Sequence, residues 1–329
     1  MIISQTPLRV SFAGGGTDII DYYSRHEGLV VSTAIDKFAY VVVKERFDDA
    51  IYLNYMKKEI CDRVDEVKHD LIREAMDVTG VDRGVEITLL SDIPSEGAGL
   101  GSSSSFTVGL LNALYTYQGL QVPAERLAEE ACQIEIDRLA KPIGKQDQYI
   151  AAFGGIRSFT FRRDGRVETD ELTLTPRRVA ELGMRLQLYF TGRTRSADAI
   201  LSRQKQQMAD RTEELAGIKA LAVQLRDELE SGDLDQLGQS LHANWMLKRT
   251  LAEGISDDPI EAMYACARAH GALGGKICGA GGGGFLLVYC PPQSHEKLTK
   301  GMSDFRLLPF GPERDGSKVI FNYRHGGWK

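Results

Sequence analysis

Apolar residues recur along the chain with two different periods. Alternating and β-branched runs at 38–46 and 84–90 predict strands, while Phe106, Leu110, Ala113 and Leu114 fall at helical spacing and predict a helix over 102–117, stopped by Gly119. A second helix is predicted to open near Pro123, a residue suited to a first helical turn. The stretch 168–181 mixes charge, Thr and Pro176 before a strand-like run at 185–190, which places a domain boundary near residue 182. Beyond it, amphipathic patterns predict helices over 197–232, 236–250 and 259–270, followed by strands at 284–290 and 318–323. This order predicts an α+β protein of two domains, 1–182 and 183–329, rather than one doubly wound sheet.

Composition narrows the function classes. The 329 residues are 43% apolar and 26% charged, with 40 Lys+Arg against 46 Asp+Glu, a formal charge of −6, which argues against a polybasic nucleic-acid-binding coat. The longest apolar runs fall far short of the roughly 20 residues that a membrane helix needs, and 1–12 lacks the pattern of a secretory signal. A cytoplasmic protein with neither membrane nor nucleic-acid partner is expected. The five cysteines form no C-x-x-C pair and the six histidines no H-E-x-x-H pair, so disulfide frameworks and zinc clusters are disfavoured. No heptad or apolar patch in the sequence specifies an oligomer.

Four segments carry candidate chemistry. Gly97-Ala98-Gly99-Leu100-Gly101-Ser102-Ser103-Ser104-Ser105 lies between a strand-like run and an apolar helix. Glycines there let backbone amides converge on an anion, and the helix start adds unpaired N–H groups, so the segment reads as a phosphate cradle whose hydroxyls also suit Mg²⁺. It is not a Walker loop, and the third glycine of a dinucleotide fingerprint is replaced by Ser102. Gly279-Ala280-Gly281-Gly282-Gly283-Gly284 matches G-x-G-x-x-G literally, but a strand follows it, so a tight turn and a ligand contact read equally well. In Pro7 to Asp18, Arg9 suits bidentate phosphate contacts and Asp18 suits sugar hydroxyls. Spacing alone nonetheless favours Thr17 or Asp18 as the cap of a short helix over 19–23. In 135–155, Ala128, Ala131, Cys132, Glu135 and Leu139 can share an inward helix face, in which case the Glu135 carboxylate requires a partner such as a metal. The alternative stripe Leu127, Ala131 and Ile134 leaves Glu135 at its edge. Asp147 reads either as a site residue or as a loop aspartate.

Taken in this order, the segments resemble the GHMP small-molecule kinase superfamily, which includes galactokinases, homoserine kinases and mevalonate kinases. Residues 7–18 look like its first motif, 94–105 its second and 276–284 its third. The resemblance implies an N-terminal domain similar to the second domain of ribosomal protein S5, a ferredoxin-like C-terminal domain, and an active site between them. It implies ATP and Mg²⁺ as cofactors, with Gly97, Ala98, Gly99, Leu100, Gly101, Ser102, Ser103 and Ser104 around the ATP phosphates and Gly279, Gly281 and Gly282 in the third glycine loop. Ser103 and Glu135 then correspond to the metal ligands. Asp147, twelve residues beyond Glu135, corresponds to the base that faces the acceptor hydroxyl, with Arg9 beside it.

The acceptor follows from departures and matches. Galactokinases carry Glu-His before the Thr-Asp of the first motif, where this chain has Gly15-Gly16-Thr17-Asp18. The glycine triplet 14–16, together with 144–149 and 191–197, is similar to the branch that phosphorylates the anomeric hydroxyl of D-glycero-D-manno-heptose 7-phosphate on the way to nucleotide-activated heptose. Gly15, Gly16, Thr17 and Asp18 would then bind the sugar phosphate, and Lys145, Arg193 and Arg195 are the cations available for its phosphate. The two arginines lead a predicted helix and fit a solvent-exposed position as well. A fucokinase-like enzyme with a neutral acceptor and a non-catalytic sugar-binding regulator are the rival readings.

Overall fold

The structure, a computed structural model, describes residues 1–93, 97–231 and 233–323. Pro94, the first residue of the second motif, lies outside the described residues. So do Gly232, the expected end of the long helix, and 324–329 of the expected C-terminal domain.

In chain order the first half comprises β1 (Ile2–Ala13), α1 (Ile20–His26), β2 (Gly28–Glu45), β3 (Ile51–Asn54), β4 (Lys58–Cys61), α2 (Asp70–Thr79), β5 (Val85–Ser91) and α3 (Ser102–Gln118). It continues through α4 (Ala124–Cys132), a π-helical turn (Gln133–Arg138), α5 (Gln146–Phe153), β6 (Ile156–Phe161) and β7 (Val167–Glu171). The second half comprises α6 (Pro176–Arg185), β8 (Leu186–Phe190), α7 (Ala197–Gln207), α8 (Thr212–Ser231), α9 (Leu234–Lys248), α10 (Asp258–Ala269), β9 (Gly274–Ile277), β10 (Phe285–Tyr289), α11 (His295–Gly301), β11 (Leu307–Leu308) and β12 (Lys318–Asn322). The α+β expectation holds.

Among the described residues eight strands form one sheet, ordered β12-β1-β2-β5-β3-β4, with β6 and β7 branching from β2. The branch is possible because β2 is long enough to pair with β6 through residues 28–33 and with β5 through 39–45, while β1 runs along its other side. Four antiparallel strands, β11-β8-β10-β9, form the second sheet. Chain segment 318–322, expected within the C-terminal domain, pairs with β1 on the edge of the larger sheet.

The two halves share a core. Leu8, Val10 and Phe12 of β1 pack in one cluster with Leu188 of β8, Leu225 of α8, Leu237 of α9 and Leu287 of β10. Because side chains alternate along a strand, Arg9 and Ser11 face the other way, into the cleft. The mixed stretch 168–181 resolves into β7 and the start of α6, which Thr175 caps by accepting from the Arg178 N–H at 3.3 Å. The helix expected over 197–232 is instead broken by a 3₁₀ turn at Met208–Arg211.

Candidate active site

A cavity of about 1370 Å³ opens along the seam of the two halves and is lined by residues from all four segments. Its floor is a salt bridge. The Arg9 guanidinium donates from Nε to Asp147 Oδ1 at 2.7 Å and from Nη2 to Asp147 Oδ2 at 2.5 Å, while Nη1 donates to the Gly99 carbonyl at 2.6 Å. Arg9 is 4% exposed. Burial works against its charge, but the Asp147 carboxylate more than offsets that and holds its pKa above the ordinary value. Asp147 is the second residue of α5.

The glycine segment rises from this floor. Gly97, Gly99 and Gly101 all take positive φ, which lets the chain turn back on itself before α3 begins at Ser102. The turn is tied to β1, since the Arg9 N–H donates to Leu100 O at 3.0 Å and the Ser105 hydroxyl donates to Pro7 O at 2.8 Å. Gly97, Ala98, Gly99, Gly101, Ser102, Ser103 and Ser104 line the cavity, whereas Leu100 is buried in the shared core. The Ser102 hydroxyl is buried, faces the cavity and has no hydrogen-bond partner among the described residues.

Glu135 sits in the π-helical turn, where the Leu139 N–H donates five residues back to Ile134 O at 3.0 Å. The two expected stripes are adjoining parts of one buried face: Leu127, Ala128, Ala131, Cys132, Ile134 and Glu135 are all buried. The Glu135 carboxylate accepts from the Ser103 hydroxyl at 2.5 Å and from Gln148 Nε2 at 2.7 Å. The Lys141 ammonium lies 3.6 Å from Glu135 and donates to Ser103 Oγ at 3.2 Å. A hydroxyl and a carboxylate are hard oxygen donors of the kind Mg²⁺ takes, and a cation already stands beside them, so the pair fits a divalent ion whose other ligands come from phosphate and water. Among the described residues no group of three or more His, Cys, Asp or Glu is placed to hold a metal.

The first-motif loop differs from the capping expectation. Helix α1 starts at Ile20 with no side-chain cap. Asp18 instead accepts from the Gly16 N–H at 2.9 Å and the Gln146 N–H at 3.2 Å, which fastens this loop to the one before α5. A side chain at Gly144 would collide with the Asp18 carboxylate. Burial raises the Asp18 pKa, and the Asp147 charge adds to this against the pull of the two amides. Gly15, Gly16 and Asp18 line the cavity, while Thr17 is fully buried and donates to Gly14 O at 2.7 Å.

The expected phosphate cations separate. Arg195 lines the cavity. Lys145 and Arg193 do not, contrary to expectation, because each is drawn off by a nearer partner. Lys145 donates to Gly165 O at 2.9 Å over the Tyr23 ring, and Arg193 binds Asp257, the N-cap of α10, from Nη2 at 2.5 Å to Oδ1. Of the third segment, Gly279 faces the cavity and stacks on the first loop, where a Cβ at Gly279 would meet Gly99 Cα at 2.6 Å. Gly281 and Gly282 pack on 254–255 as the turn into β10, and the Gly282 N–H donates to Ile255 O at 2.9 Å. Lys248, Lys141, Gln146 and Gln204 also line the cavity. Sequence reasoning missed them because Lys248, Lys141 and Gln204 lie in polar helical or loop stretches where a lysine or glutamine reads as solvated surface.

The comparisons agree with this geometry. Residues 62–155 match the model for the GHMP kinases N terminal domain and 225–304 that for the GHMP kinases C terminal domain. The D-glycero-alpha-D-manno-heptose 7-phosphate kinase of Campylobacter jejuni is 33% identical, over 92% of this chain and 93% of that protein. The L-fucokinase/L-fucose-1-P guanylyltransferase of Bacteroides fragilis is 26% identical over 92% of this chain but only 36% of its own length. A solved D-glycero-D-manno-heptose 1-phosphate kinase from Bacteroides thetaiotaomicron superposes with a TM-score of 0.81 at 25% identity, covering 98% of this chain and all of that one. The chain belongs to the GHMP kinase family. Its activity class is that of an ATP-dependent sugar kinase.

Proposed function

We propose that this protein transfers the γ-phosphoryl group of ATP to the anomeric hydroxyl of D-glycero-D-manno-heptose 7-phosphate, giving the 1,7-bisphosphate used for nucleotide-activated heptose. The observation that carries the reading is the Arg9–Asp147 pair in a cavity lined by a glycine loop and by Gly15, Gly16 and Asp18. Similarity to the Campylobacter heptose 7-phosphate kinase supports the choice of acceptor.

In this reading the amides of 97–103 and the N-terminus of α3 hold the nucleotide phosphates. Ser103 and Glu135 would hold Mg²⁺, which neutralises charge on the phosphoryl oxygens when bound. Asp147 accepts the hydroxyl proton as the sugar oxygen attacks phosphorus and the bond to the β-phosphate bridging oxygen breaks, releasing ADP. Arg9 takes both carboxylate oxygens, which fixes Asp147 in place. That suits phosphoryl transfer, where positioning and charge stabilisation supply most of the rate. Asp18, fixed by two amides, orients the acceptor.

The test is Mg²⁺-dependent ADP release with mannoheptose 7-phosphate and unphosphorylated mannoheptose side by side. Strong preference for the 7-phosphate is expected; indifference to the phosphate sinks the heptose 7-phosphate reading. A second reading, a sugar 1-kinase with a neutral acceptor such as fucose, is favoured by one observation: Lys145 and Arg193 are engaged within the protein. Turnover with L-fucose and none with either heptose would establish it.

A further inference from the structure

Two lysines take no part in the reaction as described. Lys248, at the end of α9, donates to Ile277 O at 2.9 Å and to Gly279 O at 2.5 Å. Lys276, on β9, is 2% exposed and donates to Phe12 O at 3.1 Å. Both line the cavity beside Arg9. Neither has a carboxylate within 4 Å among the described residues, and backbone carbonyls leave part of each ammonium's three-donor capacity unspent. Arg9 is already paired with Asp147, so this wall carries two ammonium groups without counter-ions.

Burying an ammonium without a counter-ion is costly. Burial accordingly pulls the Lys248 pKa down to about 8, and the Lys276 pKa falls well below its ordinary value through burial and the neighbouring Lys248. A protein built only for stability would place apolar side chains here. Other groups lining the cavity are also unspent: the Ser11 hydroxyl, one residue from Phe12, and Gln146 Oε1 are buried without hydrogen-bond partners among the described residues. The nucleotide phosphates already have a cradle in the amides of the first glycine loop. Lys248 is anchored to the third loop through the Gly279 carbonyl rather than to the amides of the first.

We propose that Lys248 and Lys276 form the subsite for the phosphate group that the sugar acceptor carries. This rests on the reading of the protein as a sugar-phosphate kinase, and it replaces Lys145 and Arg193 as the source of the recognising cations. A dianionic phosphate supplies the missing counter-charge and raises the protonated fraction of both lysines on binding. Ser11 adds a hydroxyl donor beside it.

The experiment uses the full chain saturated with Mg²⁺ and β,γ-imido-ATP, so that the γ-phosphate position is filled, and follows binding by calorimetry. The probes are inorganic phosphate, mannoheptose 7-phosphate and mannoheptose, against wild type, Lys248→Met and Lys276→Met. Each substitution is expected to weaken inorganic phosphate and the sugar phosphate by roughly tenfold or more, the usual cost of losing a charge-assisted contact. Mannoheptose affinity should change less than about twofold on the same basis. Should Lys276→Met fail to fold, Lys248→Met, at the end of α9, carries the same test. Unchanged phosphate affinity in folded variants overturns the subsite, as does a loss of ATP affinity with ADP and sugar phosphate unaffected, which would assign the lysines to the γ-phosphoryl group. If inorganic phosphate binds through the lysines but mannoheptose 7-phosphate does not bind, the subsite stands and the heptose reading falls. If both variants bind mannoheptose 7-phosphate as wild type does, the heptose reading stands and the subsite falls.

Discussion

Arg9 holds both carboxylate oxygens of Asp147 and, with its remaining nitrogen, the carbonyl of Gly99. One side chain thus ties the proposed base to the loop proposed for the phosphates. Asp147→Asn keeps the shape but removes the proton acceptor and half of the salt bridge. A fall in kcat of about 10²–10⁴-fold is expected, with ATP affinity changed only slightly. Arg9→Lys loses the two-pronged contact and the Gly99 anchor together, so it should lower kcat and weaken ATP binding. Rapid-quench kinetics with parallel nucleotide titrations check both; full turnover in Asp147→Asn would remove Asp147 from the mechanism.

The Ser103–Glu135 pair predicts the metal dependence. Glu135→Gln should raise the Mg²⁺ concentration for half-maximal activity by about tenfold or more, since it removes the one carboxylate of the pair. Lys141→Met acts in the opposite sense, because its ammonium stands 3.6 Å from Glu135 and repels an incoming divalent ion. Mn²⁺ binding to the nucleotide-free protein, read by electron paramagnetic resonance, should strengthen in Lys141→Met. Equal Mn²⁺ affinity in wild type and both variants would separate the pair from metal binding.

How much of this was legible in the sequence depends on the length scale of the cause. Helix α3 was readable because its apolar period and Gly119 stop are local, and the structure ends it at Gln118. The breadth of β2 was not, since residues 28–37 owe their extended form to β1 and β6 on either side rather than to their own alternation. Glu135 was ambiguous because the two stripes adjoin on one wide buried face, and the periodicity of a helix does not say how wide its buried face is. The engagement of Lys145 and Arg193 was not readable, because their partners, Gly165 and Asp257, lie 20 and 64 residues away. The resemblance supplied the order of the motifs; only the fold could say which cations had been spent.

The stacking of the two glycine loops predicts unequal tolerance of alanine. Gly99 has φ +77°, and a Cβ there would lie 2.5 Å from the Cys278 carbonyl. Gly192 has φ +80° with no atom within 4 Å. Gly192→Ala should therefore cost only the backbone strain, about 1 kcal/mol, with ATP affinity intact. Gly99→Ala should force the loops apart and weaken ATP by more than about tenfold. Thermal melts and ATP titrations on the pair of variants decide; equal effects would mean that the loops do not need to touch.

Lys248 predicts a pH signature in stability. Its pKa is near its ordinary 10.5 when unfolded and about 8 when folded. Between those values the unfolded chain binds more protons, so stability rises with pH across that window. Below about 8 both states are protonated and the full burial cost persists. Lys248→Met escapes that cost, so in phosphate-free buffer it should be more stable than wild type at pH 7, with the gap closing by up to about 3 kcal/mol by pH 10.5. Urea unfolding of both proteins at pH 7, 8.5 and 10 tests this. A gap that stays constant would mean that the ammonium is not buried as the structure has it.

Arg193 and Arg195 are two residues apart and predict opposite outcomes. Arg193 neutralises Asp257, whose carboxylate also accepts the Ile260 N–H at the start of α10, so Arg193→Met strips a partly buried charge of its partner. A stability loss of about 1–3 kcal/mol is expected, with KM for the sugar close to that of wild type. Arg195 is half exposed, 3.8 Å from the same carboxylate, and faces the cavity. Its replacement by Met should leave stability within about 0.5 kcal/mol, since exposed ion pairs contribute little. KM for a phosphorylated acceptor should rise and KM for ATP should not. If Arg193→Met raised the acceptor KM while Arg195→Met left it alone, the assignment of the two arginines would have to be exchanged.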